Sequence, residues 1–246
     1  MGFVGRDIFT TLRECAEEIG EAVARHRGRG LSGQRDSQYH LDVVADDVAL
    51  RVLSGAGYRI VSEESGVSGE GEYTIVVDPI DGSTNCDRGI PFYATSLAVV
   101  RNNELVAGLV RNQATGTVFE AERGAGATRD GLAIRSSGRA HVAQAIASFS
   151  GRPERDLGWS QTRSMGAASL EICLVADGSL DAFAVAQHST LHTWDFLAGL
   201  VIAREAGAVA GDYRDERLDV FETQERRPIV AASNELLEFM RGEGTL

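Results

Sequence analysis

"VVDPIDGSTNCDRGIPF", Val76 to Phe92, carries an apolar run into two carboxylates three residues apart and then into a Gly-Ser-Thr-Asn turn. Pro79 cannot donate to a strand ladder, and Gly82 admits a turn that other residues resist. "DPIDG" (78–82) therefore reads as a rigid corner that aims Asp78, Asp81 and the Ile80 carbonyl at one point. Like charges held this close repel unless a cation lies between them. Oxygen donors of this kind suit Mg²⁺, which binds hard oxygens and keeps several waters.

Working outward, Glu63 at a strand–loop junction and Asp195 at the start of a helix add carboxylates enough for two or three metal ions. Paired metals ~3.5–4 Å apart are a recurrent device for displacement at phosphorus. Gly82, Ser83 and Thr84 offer backbone N–H groups where a short helix begins, a setting that binds phosphate.

The surrounding pattern predicts the scaffold. Ile8, Phe9, Leu12, Cys15, Ala16, Ile19 and Val23 recur at helical steps between Asp7 and Arg25. A second helix is predicted over Leu41 to Ser54, with Val44, Val48, Val52 and Leu53 as its apolar stripe and Gly55 and Gly57 as its stop. Strands are predicted at 58–61 and 73–78, followed by an antiparallel meander over 92–123. The later segments "MGAASLEICLVADG" (165–178), "WDFLAGLVIAREAG" (194–207) and "NELLEFMRG" (234–242) read as helices, with extended runs at 179–185 and 227–233. The fold class is α/β in two closely packed subdomains, 1–140 and 141–246, with the loop at 26–40 lacking periodicity.

Composition narrows the partners. The formal charge of −12 argues against nonspecific binding to nucleic acid or anionic membrane, which depends on Lys and Arg neutralising phosphates. All 24 basic residues are Arg. Three widely spaced cysteines, Cys15, Cys86 and Cys173, form neither a disulfide framework nor a zinc motif, and no apolar run spans a bilayer. A cytoplasmic location is expected.

"SEES" (62–65), "DPIDGSTN" (78–85) and "WDFLAGLVIAREAG" (194–207), in this order, resemble the inositol monophosphatase family, the superfamily that includes fructose-1,6-bisphosphatases. The resemblance covers nearly the whole chain. It implies a layered α/β/α/β/α sandwich, a homodimer, and Mg²⁺-dependent hydrolysis of a phosphomonoester by a metal-activated water. It also implies Glu63, Asp78, the Ile80 carbonyl, Asp81 and Asp195 as metal ligands, Gly82 and Ser83 as phosphate contacts, and Glu64 behind the ligands. Ser83 with Asp47 would polarise the attacking water, with Asp46 as the rival, because "DVVADD" (42–47) departs by one residue from the family's spacing. Gly166, Ala167 and Ala168 fall on the segment that lines the polyol pocket. His188 stands where inositol-specific members often carry Glu. The loop at 28–39 resembles a segment that folds over the site.

Other readings are weighed on spacing. Phosphatases with a D-x-D-G-T strand end place their two Asp residues two apart, and here they are three apart around Pro79. His188 and His192, four apart, suit an exposed or hydrogen-bonded pair better than a zinc site. An acidic metal-binding module without activity would not need a Ser83–Asp pair. Within the family, expected substrates are inositol monophosphate or a related polyol or sugar phosphate; the alternatives are fructose 1,6-bisphosphate, histidinol phosphate and nucleotide 3′-phosphates.

Overall fold

A computed structural model describes residues 6–35 and 38–242. Helix α1 (Arg6–Arg25) buries Ile8, Leu12, Cys15, Ala16 and Ile19 on one side. It packs beside α2 (His40–Gly55), and together they cover one face of a sheet. The buried stripe of α2 is Leu41, Ala45, Ala49 and Leu53, whereas Val44, Val48 and Val52 are half-buried. Small alanines let the helix sit close to the sheet, so of the expected stripe Leu53 is buried and the three valines are turned to its margin.

The described residues form an eight-stranded sheet in the order β2-β1-β3-β4-β5-β6-β7-β8. Its strands are β1 (Arg59–Ser62), β2 (Gly66–Ser68), β3 (Tyr73–Asp81), β4 (Ala94–Arg101), β5 (Glu104–Asn112), β6 (Val118–Glu122), β7 (Gly126–Arg129) and β8 (Leu132–Ala133). β1 and β3 run parallel, and the meander from β3 onward is antiparallel. Strands covered on both faces read as continuous apolar runs. Ile75 and Val77 accordingly face α1 and α2, while Val76 faces the interior layer.

That layer is α4 (Ala168–Ala176) and α5 (Thr193–Glu205), which follow the short α3 (Ser83–Arg88). Both are buried nearly all round, as expected of helices held between two sheets. The second sheet, in the order β10-β9-β11-β15-β13, comprises β9 (Ile146–Ser150), β10 (Gln161–Arg163), β11 (Ala182–Val185), β13 (Val209–Asp212) and β15 (Pro228–Ala231). A two-stranded ribbon joins β12 (Leu191–His192) to β14 (Glu225–Arg226). Helix α6 (Asn234–Gly242) closes the outer face with Leu236, Leu237 and Met240. The layers are α/β/α/β/α. Among the described residues, no helix is long and apolar enough to cross a membrane.

Gly108 on β5 shows how tightly the middle layer is set. A Cβ there would lie 2.7 Å from Val201 Cγ1, 2.8 Å from the Ala198 carbonyl oxygen and 3.0 Å from Ala198 Cα. Two of these atoms are backbone and cannot swing aside. Gly108→Ala is expected to destabilise by about 1–3 kcal/mol, the usual cost of overpacking. Denaturant unfolding measures it, and an unchanged midpoint would show that α5 can retreat.

Candidate active site

Site residues converge where β1 and β3 end and α5 begins. The β3–β4 register slips between Asp78, opposite Ser96, and Asp81, opposite Ala94, so the ladder breaks at Pro79 as its missing N–H requires. Thr95 donates to the Pro79 carbonyl at 2.8 Å, and the Ser83 hydroxyl donates to the Ile80 carbonyl at 2.8 Å. Gly82 turns the chain with φ of 90°, and its missing side chain leaves room for the Gly166 carbonyl oxygen, 2.9 Å from where a Cβ would sit. A bend that a side chain would both strain and obstruct is thereby fixed.

Glu63 follows β1, Asp78 sits within β3, and Asp195 lies in the first turn of α5, where its carboxylate accepts the His192 backbone N–H at 2.7 Å. One oxygen from each of these three carboxylates lies within 4.8 Å of the others. Burial pushes all three pKa values up, and the negative neighbours push them further: Glu63 to about 7, Asp78 and Asp195 well above the usual carboxylate range. Asp78 Oδ1 is buried without a hydrogen-bond partner among the described residues. Three hard oxygens, a spare buried acceptor and mutual repulsion fit a divalent cation such as Mg²⁺.

Asp81 is placed differently. It accepts the backbone N–H groups of Ala168 (3.1 Å) and Ser169 (2.7 Å) together with the Ser169 hydroxyl, so both of its oxygens are engaged at the N-terminus of α4. Burial raises its pKa to about 6 while these donors hold it down. The expected ligand set is thus drawn together as Glu63, Asp78 and Asp195, with Asp81 turned toward Ala168 and Ser169.

Asp47, expected as the water-activating acid with Asp46 as its rival, does not line the cavity that holds Glu63 and Ser83. Asp47 is exposed on the outer side of α2, and Asp46 is tied to Ser62 (2.5 Å) and Ser65 (3.3 Å), anchoring the turn that carries Glu63. The carboxylate that faces the site is Asp42, five residues and about one and a half turns before Asp47. Its Oδ2 accepts the Tyr39 N–H at 2.8 Å, its Oδ1 is buried without a partner among the described residues, and burial lifts its pKa to about 6. The nearby Ser83 hydroxyl favours its ionised form. The stripe Leu41, Ala45, Ala49 and Leu53 would have marked position 42 rather than 47 as the inward side.

Glu63, Glu64, Asp42, Ser83, Arg35 and Trp194 help line one cavity of about 380 Å³. Glu64 receives the Arg35 guanidinium and the Gln38 amide. A larger opening of about 510 Å³ beside α1 is lined by Glu14, Glu17, Glu18 and Glu21, but among the described residues the carboxylates close enough to share one ion are Glu63, Asp78 and Asp195. Chemistry rather than volume marks the site. Gly166, Ala167 and Ala168 lie against Gly82 and Asp81, with Ala167 and Ala168 buried and the Ala168 N–H donated to Asp81. His188 is not brought to this cavity. It projects from an exposed bend, 79% accessible, with Nε2 2.8 Å from Glu154. Cys15, Cys86 and Cys173 are free thiols.

The profile described as the Inositol monophosphatase family matches residues 6–241. The chain belongs to the inositol monophosphatase family. A fructose-1,6-bisphosphatase/inositol-1-monophosphatase of Archaeoglobus fulgidus is 35% identical, over 94% of this chain and 95% of that one. An inositol-1-monophosphatase of Mesorhizobium japonicum is 31% identical, over 83% and 85%. A solved structure described as an inositol monophosphatase–fructose 1,6 bisphosphatase superposes with a TM-score of 0.83 at 30% identity, covering 97% of this chain and 99% of that one. The chain is therefore a phosphatase of the inositol monophosphatase/fructose-1,6-bisphosphatase type, and the layered fold expected from the sequence is the family's fold.

The repelling carboxylates make stability a readout of their charge. A group whose folded pKa lies above its unfolded value contributes stability at low pH and loses it as pH rises through the folded pKa. In chelator, the melting temperature is expected to fall as pH rises from about 5 to about 8, the window set by Glu63 at about 7. Added Mg²⁺ should flatten that slope, because it binds the ionised cluster. A metal-free melting temperature that climbs across this window would sink the account.

Proposed function

We propose that this phosphatase hydrolyses small polyol or sugar phosphates, inositol monophosphate and fructose 1,6-bisphosphate foremost, with Mg²⁺ as cation and a homodimer as the working assembly. The observation that carries the reading is the convergence of Glu63, Asp78 and Asp195 beside the cavity that also holds Asp42 and Ser83. The double designation of the Archaeoglobus fulgidus relative favours these two esters over the rest of the family's range.

Glu63, Asp78 and Asp195 would hold the cation, with the Ile80 carbonyl and Asp81 beside them. Bound Mg²⁺ supplies positive charge to the phosphate oxygens and acidifies a water. The chain's own residues do the rest. Asp42, whose pKa burial lifts to about 6, accepts a proton from water oriented by the Ser83 hydroxyl. As that water bonds to phosphorus, the ester P–O bond breaks and its oxygen leaves as the alcohol, taking a proton from a solvent water. Backbone N–H groups at Gly82 and Ser83 meet phosphate oxygens at the start of α3. Arg35, paired with Glu64, keeps a guanidinium at the cavity's edge.

The test is phosphate release, in Mg²⁺ and in chelator, from inositol 1-phosphate, fructose 1,6-bisphosphate, histidinol phosphate, adenosine 3′,5′-bisphosphate and NADP. Mg²⁺-dependent turnover of the first two is expected. Equal turnover in chelator, or turnover confined to the last three, would overturn the proposal.

A further inference from the structure

Glu171 is a carboxylate that the chemistry above does not use. It lies in α4, in the layer between the two sheets, and is 1% exposed. Its Oε1 accepts the Ser148 hydroxyl from β9 and the Met165 backbone N–H at 3.1 Å. A buried carboxylate is costly unless donors satisfy it, and the N-terminal half of a helix adds favourable backbone dipoles.

Met165 passes this restraint on. Its carbonyl accepts Asn85 Nδ2 at 2.7 Å, and the same amide donates to the Phe92 carbonyl at 2.8 Å. Gly166, with φ of 81°, then brings its carbonyl against Gly82, and the N–H groups of Ala168 and Ser169 close on Asp81. Residues 165–169 are therefore held from the acidic corner on one side and from Glu171 and Ser148 on the other.

We propose that Glu171 is a positioning residue for substrate selection, fixing the Met165–Ala168 backbone at the distance from Asp81 that a polyol requires. The inference rests on the reading that this segment is the polyol wall. Glu171 touches no reacting atom and acts through the Met165 amide. Misplacing a binding wall by about 1 Å can cost up to about a hundredfold in turnover efficiency.

The experiment compares inositol 1-phosphate with phenyl phosphate, an ester without polyol hydroxyls, in wild type, Glu171→Gln and Glu171→Leu. Gln keeps an acceptor oxygen at the same reach, and Leu fills similar space without one. Wild type should prefer the polyol ester. Glu171→Gln should keep that preference, while Glu171→Leu should raise KM for inositol 1-phosphate about tenfold, leave KM for phenyl phosphate within about twofold, and speed hydrogen exchange at the Met165 amide. Equal losses on both esters, an unchanged KM in Glu171→Leu, or a Gln variant as impaired as Leu would each overturn the proposal. If Glu171→Leu does not fold, Ser148→Ala removes the hydroxyl that fixes the carboxylate. It should raise the same KM at least about threefold, and an unchanged value overturns the proposal. If wild type shows no preference, the polyol-wall reading fails and this inference falls with it. A wild-type preference retained in Glu171→Leu defeats the inference alone.

Discussion

Asp42→Asn loses about two to four orders of magnitude in kcat on the preferred ester, while Asp47→Asn stays within about twofold of wild type. The contrast follows from placement on one helix. Asp42 faces the cavity beside Ser83 with a pKa of about 6, and Asp47 faces solvent. Asn preserves size and cannot accept the proton, so KM should change far less than kcat. Asp46→Asn gives a third outcome, since Asp46 holds Ser62 and Ser65 around the Glu63 turn and should weaken Mg²⁺ binding by about tenfold, in the range of losses from groups that support ligands. Parallel rate measurements and Mg²⁺ titrations separate the three. Full activity in Asp42→Asn with loss in Asp47→Asn would reverse the assignment.

Asp78→Asn should weaken Mg²⁺ binding at least about a hundredfold and abolish measurable turnover, while making the metal-free protein more stable at neutral pH. Both effects have one origin. Asp78 is buried at 2% exposure between Glu63, Asp81 and Asp195, and its charge is tolerated best when a cation shares the space. Removing that charge relieves the repulsion in the empty cluster and removes a ligand from the loaded one. Calorimetric Mg²⁺ titration and melting curves in chelator measure the two halves independently. The metal-free slope of melting temperature against pH should also become shallower. A variant that binds Mg²⁺ normally, or melts lower in chelator, would remove Asp78 from the ligand set.

The corner at 78–85 was legible because its signal is local: a proline that breaks the ladder, a glycine with positive φ, and carboxylates whose spacing is set by the backbone between them. The helix beginning at Trp194 and the meander after Phe92 were legible for the same reason. Asp42 was not, because hydrophobicity chose Val44, Val48 and Val52 along with Leu53 as the inner stripe of α2, and of these only Leu53 is fully buried. The actual contact is made by Ala45 and Ala49, whose small size rather than apolar strength brings the helix to the sheet. The seating of Asp81 at Ala168 and Ser169 escaped the sequence because its partners lie 87 and 88 residues away. His188, reached by counting back from Asp195, lies on an exposed bend beside Glu154, because chain distance does not fix direction in space.

The grip of Asp81 on α4 also orders events in the life of the molecule. Synthesis delivers the acidic corner first, with its carboxylates, while the amides at 168–169 and the carboxylate at 195 have yet to be made. Contacts this distant in sequence form late, after the loop between them has paid its closure entropy. A nascent chain ending near residue 140 would thus carry an acidic corner that has nothing to close on. In refolding, recovery of secondary structure should precede return of catalysis, and the interval between them is the time taken for the two ends of the site to find each other.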